Sequence, residues 1–220
     1  MRRSTGTSSR RPSPNRSSMT RRISVAIAEA VRRSALADYT DRFAALTAAS
    51  GGELSIRELP FVSQANLRAD PTDQDLMQRL ASALGFALPV TPNTVFAHGD
   101  HRAIWLGPDE WLVVGPDGQQ EAIEQTLRNG LDGAFGSIVD VSANRTVIEI
   151  RGAKARKLLA HSVSIDLDAR SLSPDHCAQT LLAKAQVIIE RRGDEPTFHV
   201  HVRSSFAIYT ADWLLDATSE

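Results

Sequence analysis

From Leu54 the chain alternates in a way that predicts β structure. Leu54, Ile56 and Leu59 to Val62 alternate or cluster as a strand does, and Gln64, Asn66 and Arg68 continue the strand with polar spacing up to Asp70 and Pro71. Asp73 then stands where a helix cap belongs, ahead of Leu76, Met77, Leu80, Leu84 and Phe86 at three- and four-residue intervals, with the end near Gly85 to Pro89. Val95 to His98, Ala103 to Leu106 and Trp111 to Val114 read as three strands of a meander, because Gly99–Asp100 and Gly107–Glu110 supply turn formers between them. Ala122, Ile123, Leu127 and Leu131 form the apolar stripe of a second helix.

The second half repeats this rhythm loosely. Ile138 to Val141 and Arg145 to Ile150 read as strands, and Gly152 introduces a helix through Leu158 and Leu159. Gln179 to Glu190 and Thr197 to Val202 form a strand pair around a Gly193–Pro196 turn, and a closing helix holds Tyr209, Trp213 and Leu214. Locally paired strands with intervening helices imply an α+β fold of antiparallel sheets and packed helices, with sub-halves at about 50–135 and 136–217 inside a domain over 35–220.

Residues 1–34 differ in kind. Arg, Ser, Thr, Pro and Gly dominate the first 22 positions and no acid precedes Glu29, so the segment buries little and reads as a disordered Arg/Ser-rich tail. Transit peptides and nucleic-acid-binding arms share this composition, but the readings adopted are a solvated tail or an over-extended start, for which Met19 offers an internal initiation site. Ile23 to Val31 hint at a weak short helix. Composition narrows function mainly by exclusion. With 25 basic and 26 acidic residues the formal charge is −1, which gives no field to recruit nucleic acid or an anionic membrane. The single cysteine, Cys177, excludes an internal disulfide and fits a cytoplasmic setting, and no apolar run approaches membrane-spanning length.

Candidate chemistry is sparse. His199 and His201 lie on one face of a strand as metal ligands can, yet Phe198, Val200 and Val202 hold the other face, so the pair reads as the solvated side of an amphipathic strand. His98 and His101 flank a turn without a third ligand. Cys177 and His176 are adjacent and point to opposite faces, which favours a buried thiol over a nucleophile with its base. Asp140, Ser142 and Arg145 read as strand and turn polar contacts. No Gly-rich phosphate loop occurs. No residue is therefore assigned to catalysis, a cofactor or a metal. Trp105, Trp111, Arg145, Arg151 and Arg203 are the candidates for a partner interface, since Trp and Arg concentrate there, while Trp213 is expected in the core.

Four segments carry a resemblance: WLGPDEWLVVGP at 105–116, DVSANRTVIEIRGAKARKLLAHSVSIDL at 140–167, CAQTLLAKAQVIIERR at 177–192 and VRSSFAIYTADWLLDA at 202–217. Through them the chain resembles the gamma subunit of heterotetrameric sarcosine oxidase. The resemblance implies a subunit that supports oxidative demethylation of sarcosine by partner alpha, beta and delta subunits. It also implies FAD, FMN and NAD in alpha and beta, zinc in delta, and no cofactor in this chain. More distantly the segments look like the folate-binding fold of the glycine-cleavage aminomethyltransferase. In that fold a late hairpin places paired glycines and an acid near tetrahydrofolate; here the matching stretch is Lys184, Ala185, Gln186, Val187, Ile188 and Ile189, followed by Glu190. A scaffold without the transfer site is the implication. The alternative, a free-standing folate-binding or aminomethyl-transfer protein, needs a carboxylate in the pocket from Glu190 or Asp140.

Overall fold

The computed structural model describes residues 32–218. The tail and the short helix expected at Ile23 to Val31 fall outside the described residues, apart from the tail's last positions. From Ser34 onward the chain forms one compact unit. A 3₁₀ turn, Ala37–Tyr39, leads into α1, Thr40–Ala49; β1 is Ser55–Leu59, β2 Ser63–Ala69, and α2 Gln74–Leu84. The meander is β3, Val95–His98, β4, His101–Gly107, and β5, Glu110–Gly115, followed by α3, Gln120–Leu131. Then come β6, Gly136–Asp140, β7, Arg145–Arg151, α4, Ala155–Ala160, β8, Cys177–Leu182, β9, Ala185–Arg192, β10, Thr197–Arg203, and α5, Ala207–Asp216.

Two five-stranded sheets result, one ordered β1-β7-β10-β9-β8 and the other β3-β4-β5-β2-β6. We call them the β10 sheet and the β5 sheet after a strand of each. Their buried residues fall into three layers. Outside the β10 sheet, Phe43 of α1, Leu158 and Leu159 of α4, and Ala207, Ala211 and Leu214 of α5 pack on Ile56, Ile148, Ile150, Val187, Ile189, Phe198, Val200 and Val202. Outside the β5 sheet, Leu76, Leu80, Ile123, Leu127 and Leu131 pack on Ala65, Leu67, Ala103, Trp111, Val113 and Ile138. Between the sheets Val95, Ile104, Leu112 and Val114 meet Cys177 and Ile188. The order is thus helices, sheet, sheet, helices, with both faces of each sheet covered over much of its area.

Local chemistry explains the elements that were legible. The Asp73 carboxylate accepts the Leu76 N–H and starts α2, which ends at Gly85 in the left-handed region at φ 79°. Gly130 lets α3 approach α2 closely, since a Cβ there would stand 2.9 Å from Leu80 Cδ2 and 3.1 Å from Leu80 Cα.

Two strand expectations are corrected, and the structure adds two features that the pattern does not announce. The strand read from Leu54 to Arg68 is two strands in different sheets, because Pro60 and Phe61, the latter at φ 60°, break the run and carry the chain across the sandwich. The long strand read over Gln179 to Glu190 folds back on itself: Ala183, at φ 50°, and Lys184 form a two-residue turn that pairs Leu182 with Ala185 without the Gly or Asn that normally announces such a turn. Helix α1 is not announced by the pattern, since among its residues only Phe43 is buried and the stripe is too thin to read. Finally, the sheets do not divide the chain at 135/136: β1 is an edge of the sheet otherwise built after residue 140, and β6 is an edge of the sheet built before it.

Candidate functional site

The densest set of ionisable groups lies between the sheets. Register creates it: Arg57 of β1 is opposite Glu149 of β7, Glu149 opposite His199 of β10, His199 opposite Glu190 of β9, and Glu190 opposite Cys177 of β8. One polar row therefore crosses all five strands of the β10 sheet on the face turned toward the β5 sheet. His201 lies two residues further along β10 on the same face. From the opposing sheet, Arg102 of β4 reaches Glu190 with Nε 3.3 Å from Oε1, and on the same strand as Glu190 Arg192 places Nη1 3.0 Å from that oxygen.

His199 and His201 are therefore not on a solvated side. The sequence pattern was correct about the face, but a second sheet covers it, and both rings are buried. His199 Nε2 is 3.1 Å from Glu149 Oε2, whose other oxygen accepts from Arg57 Nε at 2.6 Å. His201 Nε2 is 3.5 Å from Glu190 Oε2. Carboxylates only accept, so each neutral imidazole carries its proton on Nε2. The Nδ1 atoms of His199 and His201 and Oε1 of Gln64 are buried with no hydrogen-bond partner.

Burial acts on every group here, and the neighbours decide where it wins. For Glu190 burial opposes charge, but His201, Arg102 and His199 outweigh it and bring the carboxyl down to about 2. For His199 burial dominates and lowers the ring to about 4, against the pull of Glu190; His201 moves down for the same reason. Burial also lowers the Arg102 guanidinium, partly offset by Glu190. At neutral pH the cluster holds two carboxylates, Glu149 paired with Arg57 and Glu190 with Arg102 and Arg192, beside two uncharged histidines.

These shifts predict acid sensitivity. A histidine depressed from 6.5 to about 4 leaves the unfolded chain as the better proton acceptor, so its contribution is intact above pH 6.5 and lost as pH falls toward 4. The size is up to about 3 kcal/mol for His199 at the acid end. Glu190 adds a loss of the same sign between its ordinary value of 4.5 and about 2. Urea denaturation at pH 7.5 and pH 5 should show lower stability at pH 5, and His199→Asn should flatten that dependence.

The other candidates resolve into structural contacts. Cys177 is buried, and desolvation, with the Glu190 charge, pushes its thiol up to about 12, so it is not ionised near neutrality. His176 turns to Ser173 Oγ at 2.8 Å and the Pro174 carbonyl at 3.0 Å. Asp140 Oδ1 accepts the Ser142 N–H at 2.9 Å and its hydroxyl at 2.6 Å, while Ser142 Oγ accepts the Gln64 N–H at 2.9 Å. His101 Nε2 lies 2.8 Å from Gln119 Oε1. Among the described residues no group of three or more His, Cys, Asp or Glu is placed to hold a metal ion, and no helix is long and apolar enough to cross a membrane.

Of the five interface candidates, Trp111 is corrected: it is sealed in its own chain's core and donates Nε1–H to the Pro89 carbonyl at 2.7 Å, so no partner can reach it. Trp105 is half-buried with its Nε1 enclosed, and Arg145 is half-buried, with its carbonyl accepting from Gln64 Nε2 at 2.9 Å. Arg151 and Arg203 are exposed, Arg151 pairing with Glu195. Trp213, expected in the core, is 37% exposed and donates Nε1–H to Ser162 Oγ.

Two face-to-face antiparallel sheets flanked by helices, one of them ending in the hairpin at 177–192, place the chain in the aminomethyltransferase fold class. A solved glycine cleavage system aminomethyltransferase T from Bartonella henselae superposes with a TM-score of 0.55 at 15% identity, over 74% of this chain and 45% of that one, a likeness of fold alone. Within that class the chain belongs to the sarcosine oxidase gamma subunit family, whose model matches residues 68–220. Sarcosine oxidase subunit gamma of Corynebacterium sp. (strain P-1) is 35% identical over 172 residues, 78% of this chain and 83% of that protein. The counterpart from Arthrobacter sp is 36% identical over the same shares. A chain in the solved heterotetrameric sarcosine oxidase from Corynebacterium sp. U-96 is 33% identical with a TM-score of 0.76, covering 86% of this chain and 95% of that one.

The carboxylates that a folate site would require do not fit that ligand. Glu190 is buried and engaged by Arg102, Arg192 and His201, and Asp140 lies exposed at the end of edge strand β6 with Oδ1 taken by Ser142. At the hairpin the Lys184 N–H donates to Tyr209 Oη at 3.3 Å.

Proposed function

We propose that this chain is the gamma subunit of a heterotetrameric sarcosine oxidase and acts there as a structural member. The oxidative demethylation of sarcosine then falls to the alpha and beta subunits with FAD, FMN and NAD, and zinc to the delta subunit, in a cytoplasmic complex. Family membership supports the place in the complex. The observation that carries the structural role is the use made of the charged row: the residues best suited to acid–base work join strand to strand and sheet to sheet, with Glu190 fully buried. A group so enclosed and so firmly ionised has neither access to a substrate nor a proton to exchange near neutrality.

Co-expression with the alpha, beta and delta chains followed by size exclusion tests the proposal. The chain should comigrate with the flavin-bearing subunits, and purified alone it should show neither flavin absorbance nor micromolar folate affinity. Elution apart from the flavin peak would overturn the assignment to the complex, and flavin or folate on the isolated chain would overturn the structural role.

A further inference from the structure

The four sheet edges are not treated alike. β1 carries Arg57 and Glu58, and Glu58 accepts the Leu36 N–H from the segment before α1. β8 is closed at its ends by bridges from His176 to Thr94 and from Leu182 to Val163. β3 is four residues long, and its Phe96 stacks on Phe86 with ring centres 5.7 Å apart. β6 has no lysine, arginine, proline or bulge, and all its residues but Ile138 are exposed. Such an edge is a template for another strand unless something discourages pairing.

Its open groups follow from the register. The Val141 N–H donates to the Gln64 carbonyl, and the Ala69 N–H donates to the Asp109 carbonyl beyond the end of β5. Even-numbered β2 residues therefore bond toward β6 and odd-numbered ones toward β5, so Ser137 and Val139 bond inward. The N–H and C=O groups of Gly136, Ile138 and Asp140 point away from the sheet, and no other described strand pairs with them. Beside this ladder Phe135 is 97% exposed and Val139 50%, on the same side of the strand as Ser137 by the two-residue period. Phe135 and Ser137 also border a cleft of about 470 Å³ with Arg68, Asp70, Pro71 and Asp109. Arg68 pairs with Asp109, leaving the Asp70 carboxylate as the excess charge on the rim.

We propose that β6 receives an extended segment from a partner subunit of the oxidase, which adds to the β5 sheet as a sixth strand. Only another backbone can match the open ladder; a lipid or a nucleic acid cannot. The chemistry on this edge asks for a strand with alternate apolar side chains, one covering Val139 and one seated in the cleft against Phe135, and a basic side chain near Asp70. The inference rests on the proposed place in the heterotetramer.

Residue-resolved hydrogen exchange on the assembled complex tests it. The amides of Gly136, Ile138 and Asp140 should lose their fast exchange and become as slow as those of Ser137 and Val139. Phe135→Asp changes a side chain that meets almost only solvent in this chain, so folding survives, and it should remove the chain from the complex in a pull-down. A complex whose even-numbered amides still exchange freely, or which retains the Phe135→Asp chain, overturns the added strand and leaves the subunit assignment standing. Protection that arises from two copies of this chain pairing through β6 also overturns it, and failure to form any complex overturns both readings.

Discussion

Glu190→Gln should lower the folding stability of this chain by about 3–5 kcal/mol, a loss in the range found when one member of a buried ion pair is removed. The amide keeps the volume of the carboxyl, so packing is unchanged. What disappears is the charge that Arg102 and Arg192 approach at 3.3 and 3.0 Å, one from the opposing sheet and one from the same strand. Arg102 is itself largely buried, and an uncompensated guanidinium there is costly. Removing that charge as well, in Glu190→Gln with Arg102→Met, should recover much of the loss, because the penalty is the orphaned ion more than the missing bond. Urea denaturation of the single and double variants measures both quantities. A loss below about 1 kcal/mol for Glu190→Gln would mean that the two sheets are not held by this pair.

Gly152→Ala should be comparably severe, about 4 kcal/mol or more, and should lower the melting temperature by roughly 10 °C. Gly152 follows β7 at φ 117°, a conformation a Cβ opposes in itself. The added carbon would also stand 2.3 Å from the Glu53 carbonyl oxygen and 2.8 Å from its carbon. Those are backbone atoms, so no rotamer relieves the clash, and the oxygen is further fixed by the Lys154 N–H at 3.0 Å. A thermal melt with a shift under about 2 °C would show that the Glu53 segment moves aside freely.

Sequence pattern and structure agree where local chemistry decides. Asp73, Leu76, Leu80 and Gly85 announce α2 from cap to terminus, and the turn formers between β3, β4 and β5 announce the meander. They part where long-range pairing decides. Nothing near Ser55 reveals that its strand pairs with one ending at Arg151, nor that β6 returns to β2. The setting of His199 and His201 escapes the pattern for the same reason: a face that carries them looks solvated until a second sheet covers it. One clue was available, since Val187, Ile188 and Ile189 are apolar in succession, which a strand exposed on one face rarely is. The turn at Ala183 and Lys184 stayed hidden because the residue at positive φ is an alanine.

The exchanged edges β1 and β6 bear on how the chain reaches this state. Ser55 finds its partner in Arg151, so during synthesis β1 has nothing to pair with until β7, early in the second half, has emerged. The other sheet is likewise incomplete until Gly136 to Asp140 are available. Neither half can serve as an independent folding nucleus with a finished sheet, and loop closure over such separations makes assembly slow. The same crossing ties the halves topologically, so that loss of either one opens both sheets and the domain is left with no stable half-folded form.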